Sequence, residues 1–188
     1  MLLDSRASVN DLTESGQTPL LIAADRGHNT VCSLLLAHGS NVEDKKPLTG
    51  RTALHIAAFG GNDELVKTLL VYGAAVDAVD DNARSTALHL ACQEGHLTCV
   101  LTLIKAEASL TLPDKQGQCA IHIAARRNRA AVVQAILDHG CATDLVSSCP
   151  IFIILLLHKD IALQPCGPTS EYCLAALQKT PLMVAARY

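Results

Sequence analysis

Tryptophan is absent from this chain, and only five of its 188 residues are aromatic, two Phe and three Tyr. A core organised on large rings is therefore excluded. With 49% of residues apolar, packing must run through Ala, Leu, Val and Ile. Neither sign of charge dominates: the formal net charge of −3 gives no global basic field that would draw nucleic acid. Long apolar runs are missing too. Ile151–Leu157 is seven apolar residues in a row, whereas a membrane span needs about 20. Membrane insertion is not expected. Asp4 and Arg6 interrupt the early apolar residues, so no secretory signal is expected there either.

Motifs of catalysis are also missing. There is no G-x-S-x-G, no P-loop, no H-E-x-x-H and no G-x-G-x-x-G. The expectation is a chain that is not an enzyme and carries no cofactor. Eight cysteines are present, but no C-x-x-C. Cys32, Cys92 and Cys99 fall where corresponding positions carry Val, Ala or Leu. They read as small buried hydrophobes in a reducing compartment, the cytoplasm or alternatively the nucleus. A disulfide framework or zinc site would need paired spacings that are not there.

What is there is a recurring unit, clearest in Gly50–Gly73, GRTALHIAAFGGNDELVKTLLVYG. Thr52 is placed to cap a short apolar helix. Gly60 and Gly61 are expected to break it through left-handed backbone. A second helix follows from about Asn62, with Leu65, Val66, Leu69 and Leu70 on one face, and Gly73 ends it. The first-helix motif recurs as TPLLIAA from Thr18, TALHIAA from Thr52, TALHLAC from Thr86 and CAIHIAA from Cys119, in steps of 34, 34 and 33 residues. A further copy, TPLMVAA, begins at Thr180. The second helix keeps phase through Val31, Cys32, Leu35 and Leu36, then Cys99, Val100, Leu103 and Ile104, then Val132, Val133, Ile136 and Leu137.

A unit of this length with a T-P-L-H-x-A motif resembles the ankyrin-repeat family. The resemblance covers about residues 7–146, and 179–188 in part. It implies an all-α solenoid of stacked helix-turn-helix units with projecting β-turn or hairpin loops. The units are residues 11–42, 43–76, 77–110 and 111–143. Residues 1–10 read as a partial N-terminal repeat, 147–178 as a degenerate repeat or an unrelated insert, and 179–188 as a truncated repeat. The start reads as a worn N-terminal cap or as the boundary of a longer protein, and the half-repeats at both ends favour a longer parent. Departures from the family pattern occur at Arg84, where a turn Gly is usual, at Glu107, where the closing Gly is usual, and at Asn128 in the mid-repeat Gly position.

His55, His89 and His122 occupy the fourth place of their motifs. One repeat apart, roughly 10 Å, they cannot share a metal ion. The resemblance implies a bridge between backbone groups of neighbouring units. His28 and His96, each after a Gly, also read as structural. Scattered Asp and Glu are expected on solvated loops and outer faces.

Stacked units leave an extended concave surface free to carry specificity. In the family, contacts come from the loop tips and the end of the first helix. Carried onto this chain, the loop positions are Glu14, Ser15 and Gln17, then Thr49 and Arg51. They continue as Asn82, Ala83 and Ser85, then Lys115, Gln116 and Gln118. The helix positions are Asp25 and Arg26, Phe59, Gln93 and Glu94, and Arg126 and Arg127. Phe59 fills a slot that is polar in the other units. It is a candidate hot spot or a cover for the Gly60 backbone. Arg126, Arg127 and Arg129 form a basic cluster suited to carboxylates or phosphates, or else a solvated face. The expected function is non-covalent binding of a protein partner by a monomer, as an adaptor or scaffold. The alternatives are the recognition segment of a larger ubiquitin-ligase, signalling or cytoskeletal protein, and the targeting part of a multidomain enzyme.

Overall fold

Thr18, Thr52, Thr86 and Cys119 each hold extended backbone immediately before a helix. An N-cap needs that geometry, because its side chain can then accept from amides of the first turn. The computed structural model describes residues 8–139. Expectations for 1–7 and for 140–188, including the segments 147–178 and 179–188, lie outside the described residues.

Among the described residues eight helices follow in order: α1 (Pro19–Asp25), α2 (Asn29–Ala37), α3 (Ala53–Phe59), α4 (Asp63–Val71), α5 (Ala87–Glu94), α6 (Leu97–Lys105), α7 (Ala120–Arg126) and α8 (Ala130–His139). Among the described residues the only ladder pairing is an isolated bridge, Lys46 with Arg51, in the loop before α3. Each odd-numbered helix packs on the next odd one, and each even on the next even, so the hairpins stack as two rows. The first-row helices have seven or eight residues and the second-row helices nine or ten. The sequence-based expectation of an all-α solenoid is what the chain forms.

The core is a continuous file of small and medium aliphatics. Leu20 and Leu21, Leu54, Leu65 and Leu69, Leu88 and Leu103, and Ile121 and Ile136 are fully buried along it. Cys32, Cys92 and Cys99 lie within it with no solvent exposure. Burial pushes the Cys92 thiol up to about 12 and the Cys99 thiol up to about 11. Both stay protonated and unreactive near neutrality.

The break between paired helices differs in detail from the sequence-based expectation. Gly60 is not left-handed. Its φ is −77°, and its N–H still donates to the Ile56 carbonyl, so it completes the helix as its C-cap. The reversal falls on Gly61 alone, at φ +73°. The departures at Arg84, Glu107 and Asn128 do not change the turns. All three adopt positive φ, at +52°, +64° and +57°, because the flanking hydrogen bonds over-determine the path. Leu48, 97% exposed, does the same at +69° in the longer loop of the second unit.

The motif histidines tie the units together. His55 Nε2 lies 3.0 Å from the Ser85 carbonyl oxygen, and His89 Nε2 lies 3.1 Å from that of Gln118. A carbonyl only accepts, so Nε2 carries the proton. Nδ1 then accepts the backbone N–H of the helix cap, Thr52 at 3.2 Å or Thr86 at 3.1 Å. Each ring is therefore neutral, with both nitrogens engaged. His122 repeats the inner half, accepting from the Cys119 N–H at 3.0 Å, while its buried Nε2 has no partner among the described residues. In the first unit Leu21 takes this place and is simply buried. Of the two histidines that follow a Gly, His96 is structural, with Nε2 3.0 Å from the Phe59 carbonyl. His28 is exposed and makes no side-chain cap bond, contrary to the expectation.

Two outcomes are expected. Glu107→Gly removes left-handed strain on the order of 1–2 kcal/mol and adds about 0.4–1 kcal/mol of unfolded-chain entropy. Urea unfolding should show a net gain of roughly 0.5–1 kcal/mol. Burial holds the His55, His89 and His122 imidazoles below their ordinary pKa. Below about pH 6.5 the unfolded chain therefore binds protons that the folded chain refuses. Stability should be full above that pH and fall as the medium is acidified towards the lower folded values. The urea midpoint at pH 5.5 should lie below that at pH 7.5, with a smaller difference in His89→Gln.

Candidate partner-binding face

The loops preceding the first helices are built by side-chain oxygens that close the turns. Asp80 Oδ1 accepts the N–H groups of Ala83 at 2.9 Å and Ser85 at 3.1 Å. Asp114 Oδ1 accepts those of Gln116 at 2.8 Å and Gln118 at 2.9 Å. Thr13 Oγ1 does the same for Gln17 at 3.1 Å. Neighbouring loops then bond to each other, Asp81 N–H to the Thr49 carbonyl and Lys115 N–H to the Ala83 carbonyl. Gly50 sits where a Cβ would meet the Asp81 carboxylate at 2.1 Å, so loops two and three touch through bare backbone.

Two contacts bring the loops and the first-helix ends onto one face. Lys46 Nζ, in the second loop, reaches Asp25 Oδ2 at the end of α1, 3.1 Å away. The Arg51 guanidinium, from the same loop, lies 5.2 Å from the ring centroid of Phe59 at the end of α3. Such a cation–π contact is worth about 0.5–1 kcal/mol at an exposed site. Arg51 is held from behind by Asp80, Nε to Oδ2 at 3.6 Å. Phe59 remains 41% exposed, so the ring is clasped on one side and open on the other.

Most of the residues singled out from the sequence stand on this face. Glu14, Asp25, Arg26, Asn82, Lys115, Gln116, Arg126 and Arg127 are exposed, and Gln17, Arg51, Gln93, Glu94 and Gln118 are half-buried. Ser85 is a correction. It is 6% exposed, its N–H taken by Asp80 and its carbonyl by His55, because it is the anchor of the turn rather than its tip. Arg129 also leaves the expected basic cluster. Its side chain lies over Gly95 and its Nε donates to the Gln93 carbonyl at 3.4 Å.

The acidic residues are the larger correction. Asp80, expected to be solvated, is 2% exposed and carries the third loop. Glu43 and Asp77 accept backbone N–H groups one unit ahead, Ala75 at 2.8 Å and Ser109 at 2.9 Å. Asp63 ties the second row, accepting from Thr102 Oγ1 and pairing with Lys67. The sequence signal for Asp80 and Asp114 was their place six and five residues before the helix caps Thr86 and Cys119, where an Asx side chain closes a turn.

Among the described residues no three His, Cys, Asp or Glu side chains gather to hold a metal ion. None of the described helices is long and apolar enough to cross a membrane. An open depression of about 420 Å³ lies beside Gly27–Val31 and Glu64, at the turn between α1 and α2.

A family model described as "Ankyrin repeats (3 copies)" matches residues 1–80 and again 59–147. The chain belongs to the ankyrin-repeat family. No curated protein matches it. Ankyrin repeats are in general protein–protein interaction modules and typically non-catalytic. In this ankyrin-repeat chain the described loop tips and first-helix ends form a largely polar face that also carries the exposed Leu48 and the open ring of Phe59.

Asp80 offers a direct test. Asp80→Ala leaves the Ala83 and Ser85 amides without their acceptor and should cost roughly 1–3 kcal/mol in chemical denaturation. Asp80→Asn keeps an acceptor oxygen and loses only the charge opposite Arg51, so it should cost clearly less. Equal losses would mean that the ion pair, not the turn, is what Asp80 supports.

Proposed function

We propose that this ankyrin-repeat protein binds another protein non-covalently on the face formed by its loop tips and first-helix ends, and performs no catalysis there. The observation that carries the reading is Phe59. Among the described residues it is the one aromatic side chain of the first row, and it stands open at the middle of the face with Arg51 fixed against it. Exposed, pre-oriented aromatic and Arg side chains are the residue types that concentrate binding energy at interfaces. The backbone beneath is rigid through loop-to-loop and His bridges, which lowers the ordering cost of association.

An adaptor or scaffold role follows from binding without chemistry. A recognition role within a larger ubiquitin-ligase, signalling or cytoskeletal protein, or the targeting part of a multidomain enzyme, uses the same face. The free, unpaired Cys32, Cys92 and Cys99 are in keeping with a reducing compartment, the cytoplasm or nucleus. The polar character of the face supports a monomer that meets its partner transiently.

The test is affinity capture from cell extract with quantitative mass spectrometry. The wild type is set beside Phe59→Ala/Arg127→Ala and beside a control on the opposite row, Glu64→Ala/Lys67→Ala. Partners should be lost from the first variant, by about tenfold or more for a truncated hot spot, and kept by the second. Equal recovery by wild type and the Phe59→Ala/Arg127→Ala variant would refute the assignment of this face.

A further inference from the structure

The acids of the binding face are almost all engaged in holding it together, whereas several of its cations are not. Asp25 pairs with Lys46 at 3.1 Å, and Asp81 pairs with Lys45 at 3.0 Å. Asp80 faces Arg51 and two loop amides, and Asp114 accepts two amides of its own turn. In the third and fourth units this leaves Arg84, Lys115, Arg126 and Arg127, all exposed and with no ion-pair partner among the described residues. The remaining acid there, Glu94, accepts from the Gln93 amide at 2.9 Å. A chain with a net charge of −3 thus presents a face that is locally cationic at one end and carries an open aromatic ring nearer its middle.

We infer that the partner segment is an acidic, extended peptide of a protein, with a bulky apolar residue for Phe59 and Arg51 and a pair of Asp or Glu for Arg126 and Arg127. This rests on the reading of the face as protein-binding. Phe59 and Arg126 end α3 and α7, two units apart. At roughly 10 Å per unit that is about 20 Å, which an extended chain spans in about six residues. The apolar anchor and the acid pair are therefore separated by about that number. Carboxylates suit the paired guanidinium groups, which can hold them through two parallel hydrogen bonds. Single-stranded nucleic acid would stack bases on successive rings, and this face has only one.

The experiment is selection of random 14-residue peptides displayed on phage against the full chain, followed by fluorescence anisotropy of the selected peptides. A labelled dT14 oligonucleotide is measured beside them. The expected winners are acidic, with an apolar residue about six positions from an acid pair. Arg126→Glu/Arg127→Glu should weaken them by about tenfold or more. Phe59→Ala should weaken only the peptides that carry the apolar residue. Raising NaCl from 50 to 300 mM should also weaken them severalfold, since exposed charges are screened within about 10 Å. Arg126→Gln/Arg127→Gln should give an intermediate loss, and the circular dichroism of each variant reports its folding. Winners that need Phe59 and Arg127 but are neutral or basic would overturn the acidic assignment while leaving the binding face intact. Winners indifferent to both residues would overturn the face itself. Tighter binding of dT14 than of any peptide would overturn the choice of a protein partner.

Discussion

A single helix hairpin of this chain cannot bury its own apolar side, and every other feature answers to that constraint. Leu54 and Leu65, Leu88 and Leu103, and Ile121 and Ile136 are dry because another hairpin lies against them. Stability is therefore shared between neighbours, approximately as a sum of units and their interfaces. The absence of large rings fits the same constraint. Ala, Leu, Val and Cys let short helices approach evenly, and an even approach is what lets one unit follow another in register.

Polar groups enforce that register where aliphatics could slide. The neutral imidazoles of His55 and His89 join the cap of one helix to the carbonyl that precedes the next cap. Glu43 and Asp77 do the corresponding work at the far end of the hairpins, each accepting an amide one unit ahead. The His96 and Arg129 side chains reach back to the Phe59 and Gln93 carbonyls. A carbonyl or amide buried at an interface without a partner would cost about 1–3 kcal/mol. These bonds therefore select one stacking geometry over its shifted alternatives.

The same bookkeeping produces the binding face. Side chains spent on the scaffold cannot meet a partner, and those left over define what can bind. Asp80 disappears under the third loop, and Arg51 is drawn between it and Phe59. What remains outward includes one ring and a set of arginines and a lysine that no acid among the described residues pairs. Specificity in such a protein is a residue of its architecture: the groups that the stack does not require.

Much of this was legible in the sequence because period and type of residue carry it. Four motif copies at 33 or 34 residues, with apolar positions in phase, determined the helices, their pairing and their stacking. They also determined that Cys32, Cys92 and Cys99 would be core residues. Chain order alone could not show which polar side chains the stack would consume. Ser85 and Asn82 look equivalent as letters in one loop, yet one is buried beneath a histidine of the preceding unit and the other is exposed. Arg129 and Arg127 are two positions apart, yet one folds over Gly95 and the other faces solvent. Gly60 and Gly61 are identical residues, and hydrogen bonding to Ile56 decides that only the second turns left. Local pattern sets what an isolated unit can form. Contacts between residues some thirty positions apart exist only once the units are stacked, and those contacts decide which side chains are left to bind.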